Sequence, residues 1–212
     1  ERDNEMLSRE LLEMERIDRS LLRQHGSEAD VLNQVLDVIT SRLPGVRTAV
    51  ALADRDEQLL HFAVAHDLDE SAFGVPLEAN AGPIGQTLRG GSPRSFPARR
   101  FHLDPDTLSE VDSLTLVPMR VQANSVEDNQ EEVAGIILVA TTPDTQLLGD
   151  DLEFLRRLGV HSAVLLESTR LFYSLRRSEK TYRTMVERAH LGMALIERDG
   201  HIRQANGPMR EL

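Results

Sequence analysis

The side chains able to do chemistry are few in this chain. There is no Cys among its 212 residues, which removes thiol nucleophiles, disulfides, cysteine zinc sites and any cysteine-linked cofactor. The seven His are His25, His61, His66, His102, His161, His190 and His201. No two have the His-x-x-x-His spacing that sets two imidazoles on one helix face for a metal. His61 and His66 are five apart on an expected strand, hence on opposite faces. No Ser/His/Asp set can be assembled, because order along the chain does not place groups in space. The acidic run Glu127, Asp128, Glu131, Glu132 lacks the alternating oxygen ligands and the Gly of a calcium loop, and reads as solvated. What remains is a mixed cluster, Arg99, Arg100, His102 and Asp104. Paired guanidiniums there would suit a phosphate or carboxylate; a solvated loop is the other reading. No catalytic residue and no metal site is assigned, and no cofactor is required.

The elements that must position such groups are led by the Pro-free run from Asp150 to about Arg188. Phe154, Leu158, His161, Leu165, Ser168, Phe172, Leu175, Glu179, Tyr182 and Val186 follow a strict 4, 3 step, the a/d pattern of a coiled coil. Such a helix is roughly 55–60 Å long at 1.5 Å per residue. It is expected to outrun one domain and to pair with a second copy of the chain; a surface helix packed on its own domain is the alternative. His161, Ser168 and Glu179 are polar seam positions, which weaken a coiled coil and fix its register. His161 could serve as a proton-sensitive switch or be a tolerated polar residue. A similar step runs through Leu7, Leu11, Met14 and Leu21 in an N-terminal helix that ends at His25-Gly26.

Between these helices the period changes. Ser27 with Asp30 should cap a helix carrying Val31, Leu32, Val35, Leu36, Ile39 and Leu43, stopped by Pro44-Gly45. Val46–Ala53 and Gln58–His66 read as a hairpin. A short helix follows at Gly82–Leu88, closing on Gly90-Gly91; Phe96–Asp112 reads as irregular. Leu114–Val121 and Val133–Thr141 are strands, and Asp150 is expected to cap the long helix. The order implies an α+β fold with an antiparallel sheet and helices mainly on one face.

Three further bounds come from composition. The net charge of −11 argues against nucleic acid as a direct partner, since phosphate binding needs a basic face. No stretch approaches the ~20 apolar residues of a membrane span, so no membrane contact is expected within this chain. The chain begins Glu-Arg-Asp and is expected to be a piece of a longer, cytoplasmic protein, with a membrane anchor elsewhere left open.

Residues 28–171 resemble a GAF domain. The resemblance rests on Gly82-Pro83-Ile84-Gly85-Gln86-Thr87-Leu88 with Gly90-Gly91, on Ser113-Leu114-Thr115-Leu116-Val117-Pro118, on Gly135-Ile136-Ile137-Leu138-Val139, and on Asp150-Asp151-Leu152-Glu153-Phe154-Leu155, in that order. It implies that Arg99, Arg100, His102, Asp104, Ser113 and Thr115 line a small-molecule pocket, with His102 the candidate axial ligand of a haem-binding relative. The signature of the cyclic-nucleotide-binding relatives is missing, and the lack of Cys excludes covalently held bilin. Gly82, Gly85 and Pro118 read as structural.

From Ser178 the chain resembles the opening of a PAS domain: Glu179–Ala189 as lead-in helix, Leu191–Ile196 as a strand, Asp199-Gly200 as a turn, then Ile202–Asn206. The Asp-Gly turn between apolar runs is a hairpin signal in its own right. The organisation expected is therefore a signalling helix at 1–25, a GAF domain at 26–171, a coiled-coil linker helix at 172–188 and the start of a PAS domain at 189–212. GAF followed by PAS resembles the sensory half of bacterial signalling proteins that end in histidine kinase or cyclic-dinucleotide (diguanylate cyclase or phosphodiesterase) modules, none of whose signatures occurs here. The expected function is a homodimeric regulatory domain that passes a conformational signal onward. A GAF dimerisation scaffold that binds nothing is the alternative.

Overall fold

Ser27 closes a capping box with Asp30. Ser27 N donates to Asp30 Oδ2 at 2.7 Å and Asp30 N donates to Ser27 Oγ at 3.3 Å, which fixes the start of helix α1, Glu28–Arg42. Its buried row Val31, Leu32, Val35, Leu36, Ile39 has the spacing of one helix face. Gly45, at φ +84°, turns the chain into β1. The computed structural model describes residues 27–210 except 55–57, 69–70, 72, 74–76 and 123–130. Leu7, Leu11, Met14 and Leu21 lie outside the described residues.

The strands are β1 (Arg47–Ala53), β2 (Leu59–His66), β3 (Leu77–Glu78), β4 (Arg94–Pro97), β5 (Ser113–Gln122) and β6 (Glu131–Thr141). They form one sheet in the order β3-β2-β1-β6-β5-β4, every pair antiparallel. The most apolar strand, β6, therefore lies in the interior of the sheet, and its side chains alternate between two cores. Ile137 and Val139 join α1 and the long helix α4 (Gly149–Arg188) on one face. Ile136 and Leu138 join Leu60, Phe73, Ile84, Leu88 and Phe96 on the other. That second face carries helices α2 (Gly82–Gly90) and α3 (Pro105–Glu110) and the 3-10 turn Ala98–Arg100, so helices flank both faces rather than mainly one. Two apolar residues one turn apart, Ile84 and Leu88, suffice to seat α2. Strand β4 and helix α3 fall where the sequence reads as irregular. Each has a reason to look so: β4 buries only Phe96 among its four residues, and α3 is a single capped turn and a half.

Helix α4 buries Phe154, Leu155, Leu158, Gly159, Ser162, Ala163 and Leu166. Each of the larger apolar side chains contributes about 1.5–3 kcal/mol by leaving water. A Cβ on Gly159 would stand 2.8 Å from Val117 Cγ1 and 2.9 Å from Pro118 O, so the close approach of α4 to β5 requires glycine there. At the helix start it is Asp151, one residue after the expected Asp150, whose carboxylate accepts from Leu148 N at 2.9 Å. Both acids stand in the first turn, where the helix dipole favours them.

The chain divides into two compact units between Ser168 and Thr169. The second unit contains the end of α4, the hairpin β7 (Ala194–Ile196) and β8 (Ile202–Ala205), and helix α5 (Gly207–Arg210). Its turn is the expected Asp199-Gly200: Gly200 has φ +89°, Glu197 N donates to His201 O at 2.8 Å and His201 N to Asp199 Oδ1 at 3.1 Å.

Candidate functional site

The six residues expected around a pocket do not converge. Arg99 and Arg100 are exposed on the turn after edge strand β4, and the Arg100 guanidinium lies 5.4 Å from the centre of the Phe96 ring. His102 is exposed as well. Ser113 and Thr115 are engaged between strands: Ser113 Oγ pairs with Thr141 Oγ1 at 2.8 Å, and Thr115 Oγ1 with Ser95 Oγ at 2.7 Å. These pairs sit at directly opposed register positions, where cross-strand hydroxyl pairs stabilise a sheet. By alternation Ser113 and Thr115 share the face of Val117, which packs with α1 and α4. Phe96, under Arg100, packs on the opposite face. The sheet itself thus stands between the arginines and the hydroxyls.

Asp104 is placed differently. It is the N-cap of α3: Asp106 N and Thr107 N both donate to its Oδ1 at 3.0 Å, and Thr107 Oγ1 donates to Oδ2 at 2.5 Å. The Thr107 hydroxyl, then the backbone N–H groups, hold this carboxyl below its ordinary range. Asp104 and Thr107 line a cleft of about 810 Å³ at one end of the sheet, with Thr40, Gly45, Val46, Arg47, Asp67, Leu68 and Ser71. Three segments meet there: the α1–β1 turn, the chain leaving β2, and the start of α3. Asp67 holds φ +59° and is bridged to Thr48 of β1; Asp is among the few residues that tolerate this backbone. Arg47 is ion-paired with Glu110 of α3. Of the cleft residues only Asp104 is among those the sequence singles out for a pocket. The rest are brought in by the sheet order, which sets the start of β1 near the end of β2.

The long-helix positions separate likewise. Leu158 is buried in the first unit's core, His161 and Leu165 are half-buried and Ser168 is exposed, and Phe172 and Leu175 are 42% and 69% exposed. Among the described residues no group of three or more His, Cys, Asp or Glu could hold a metal, and no helix is long and apolar enough to cross a membrane.

The path of the first unit is a six-stranded antiparallel sheet with α1 and α4 on one face and α2, α3 and loops on the other. It superposes on the GAF domain of an Acinetobacter phosphoenolpyruvate-protein phosphotransferase with a TM-score of 0.55, at 20% identity, over 76% of this chain and 94% of that one. The first unit has the GAF fold. The GAF domain of the corresponding protein from Coxiella burnetii gives a TM-score of 0.60 at 16% identity, over 78% and 96% of the two chains. The GAF domain of a putative sensor histidine kinase from Pseudomonas syringae gives 0.56 at 15%, over 84% and 97%. At these identities the likeness is one of chain path, not of side chains. No family model matches the sequence, and no curated protein does.

Proposed function

We propose that this chain is a regulatory GAF module of a signalling protein that works as a homodimer joined along α4. The observation that carries the reading is the two-sidedness of that helix. Opposite its buried row, about half a turn around, Val160 and Val164 stay 48% and 49% exposed. The same spacing continues to Leu171, Leu175, Tyr182 and Met185, which are 54%, 69%, 70% and 67% exposed. A helix with apolar side chains on its far side is expected to bury them against a partner, and a second copy offers the same row. This row and the expected seam share Leu175 and Tyr182; Leu171 and Met185 stand beside Phe172 and Val186.

The hairpin supports a PAS-like continuation, since Leu195, Ile196 and Ile202 are 56–60% exposed on strands that a larger sheet would cover. The module would then bias two packings of the helix pair and pass the difference to PAS and output modules, of the cyclic-dinucleotide or histidine kinase type. It would act in the cytoplasm and would carry no chemistry of its own. One of the neighbouring structures is the GAF domain of a putative sensor histidine kinase. The scaffold reading draws on the second sheet face, where the apolar side chains of Phe73, Leu77, Phe96, Leu114 and Leu116 pack together.

Sedimentation equilibrium tests the pairing. The chain should be dimeric at micromolar concentration, and Leu171→Glu with Leu175→Glu should make it monomeric without lowering the melt of the first unit. A monomer at high micromolar concentration sinks the reading.

A further inference from the structure

The cleft at the end of the sheet has an asymmetry of donors and acceptors that decides what it can hold. The hydroxyl hydrogens of its two threonines are already engaged. Thr40 Oγ1 donates to Leu36 O at 3.0 Å, and Thr107 Oγ1 donates to Asp104 Oδ2 at 2.5 Å. A hydroxyl has one hydrogen and two lone pairs, so what these groups still offer is acceptor capacity. The one cationic donor in the lining, Arg47, is ion-paired with Glu110. Two carboxylates complete the wall. Asp104 is kept ionised by the hydrogen bonds at its cap. Asp67 is exposed on the cleft wall in a left-handed backbone and has no Arg, Lys or His within ion-pair distance among the described residues. Val46 and Leu68 also line the cleft, but both are buried in the sheet's two cores, so its accessible groups are mainly polar.

We propose that this cleft binds a small organic cation with two or more N–H donors, of the primary-ammonium or guanidinium class. Such a ligand satisfies acceptors that the protein leaves open and neutralises Asp67 and Asp104. A phosphate or carboxylate, the ligand that Arg99 and Arg100 suggest, would meet acceptors and negative charge. The volume of about 810 Å³ suits a small molecule rather than a peptide segment. The proposal gives a ligand class to the regulatory reading, but binding does not depend on helix pairing, so the two fail separately.

The test uses the whole chain, with putrescine and agmatine as probes and tetramethylammonium at matched ionic strength as a cation without N–H groups. Thermal melts and titration calorimetry should show saturable binding of at least one of the two amines and none of tetramethylammonium. Asp67→Asn keeps a residue that tolerates the backbone at that position and should weaken the binding about tenfold or more, the scale of one charge-assisted hydrogen bond. Absence of saturable binding of both amines in the millimolar range overturns the proposal. So does an equal response to tetramethylammonium, which would mean charge screening, or an unchanged affinity in Asp67→Asn, which would place the ligand elsewhere. Sedimentation of the same samples reads the dimer independently.

Discussion

Replacing Asn206 by Ala should release the hairpin of the second unit from the end of the long helix. Asn206 is 1% exposed and its side chain makes four hydrogen bonds. Oδ1 accepts from Met193 N at 2.8 Å and from Met209 N at 3.2 Å. Nδ2 donates to Val186 O at 2.9 Å and to Leu191 O at 2.8 Å. One side chain thereby ties the last turn of α4, the loop before β7 and the start of α5. At about 0.5–1.5 kcal/mol net per bond, the four sum to roughly 2–6 kcal/mol. Water can replace part of this at half-buried groups, which leaves about 2–4 kcal/mol. Glu187 reinforces the junction: its carboxylate accepts from Gly207 N at 2.8 Å and pairs with Arg210 at 3.0 Å. Native-state amide exchange read by peptide is the assay. Peptides covering residues 190–210 should exchange at least about 30-fold faster in Asn206→Ala, the equivalent of 2 kcal/mol. Peptides of the first unit should be unchanged. Asn206→Asp keeps both acceptor roles but sets a carboxylate oxygen against the Val186 and Leu191 carbonyls at a buried position, so it should accelerate exchange of the hairpin at least as much as Ala. Unchanged exchange of the hairpin, or equal acceleration in the first unit, would refute the assignment of Asn206 as the local tie.

Two further outcomes follow from single side chains of the first unit. Thr48 Oγ1 is buried without a hydrogen-bond partner on a strand whose neighbour Val50 packs in the α1–α4 core. The isosteric Thr48→Val removes a desolvated hydroxyl and should raise stability by about 1–2 kcal/mol, a rise in Tm of roughly 2–8 °C; a lower Tm would show that the hydroxyl has a partner. Asp104→Asn keeps a good capping residue but removes the charge. The folded carboxyl titrates below its unfolded value of about 3.9, so its stabilisation is present above that value and is lost as pH falls through the lower, folded one. Urea midpoints should therefore show a wild-type advantage that is constant above about pH 5 and shrinks below about pH 4. A gap that is flat or widens in acid would contradict this.

Much of the fold is legible in the sequence because the relevant forces are local. The Ser27–Asp30 box, the Pro44-Gly45 stop, the Gly91 C-cap at φ +66° and the Asp199-Gly200 turn are set by backbone sterics and by bonds spanning three or four residues. The strands β1, β2, β5 and β6 announce themselves by period and β-branching, and the length of α4 by the absence of breakers. The residues from Phe96 to Asp112 do so less, because β4 exists only through its pairing with β5, and α3, despite the local cap signal of Asp104 before Pro105, is too short at six residues to show a helical period.

Function divides along the same line. The amino-acid sequence alone determines that cysteine chemistry is impossible, that the chain is strongly acidic, and that a helix of some forty residues carries apolar positions at three- and four-residue steps. It cannot determine which of those positions face the protein's own sheet, since both rows have helical spacing. Only packing against β5, at the distance Gly159 permits, assigns Leu158 and Leu166 to the core and leaves Val160 and Val164 outside. Nor can it decide that Ser113 and Thr115 bond across strands while Thr40, Asp67 and Asp104 share one cleft. Those residues are dozens of positions apart, and what gathers them is the sheet order, a property of non-local pairing that no local pattern encodes.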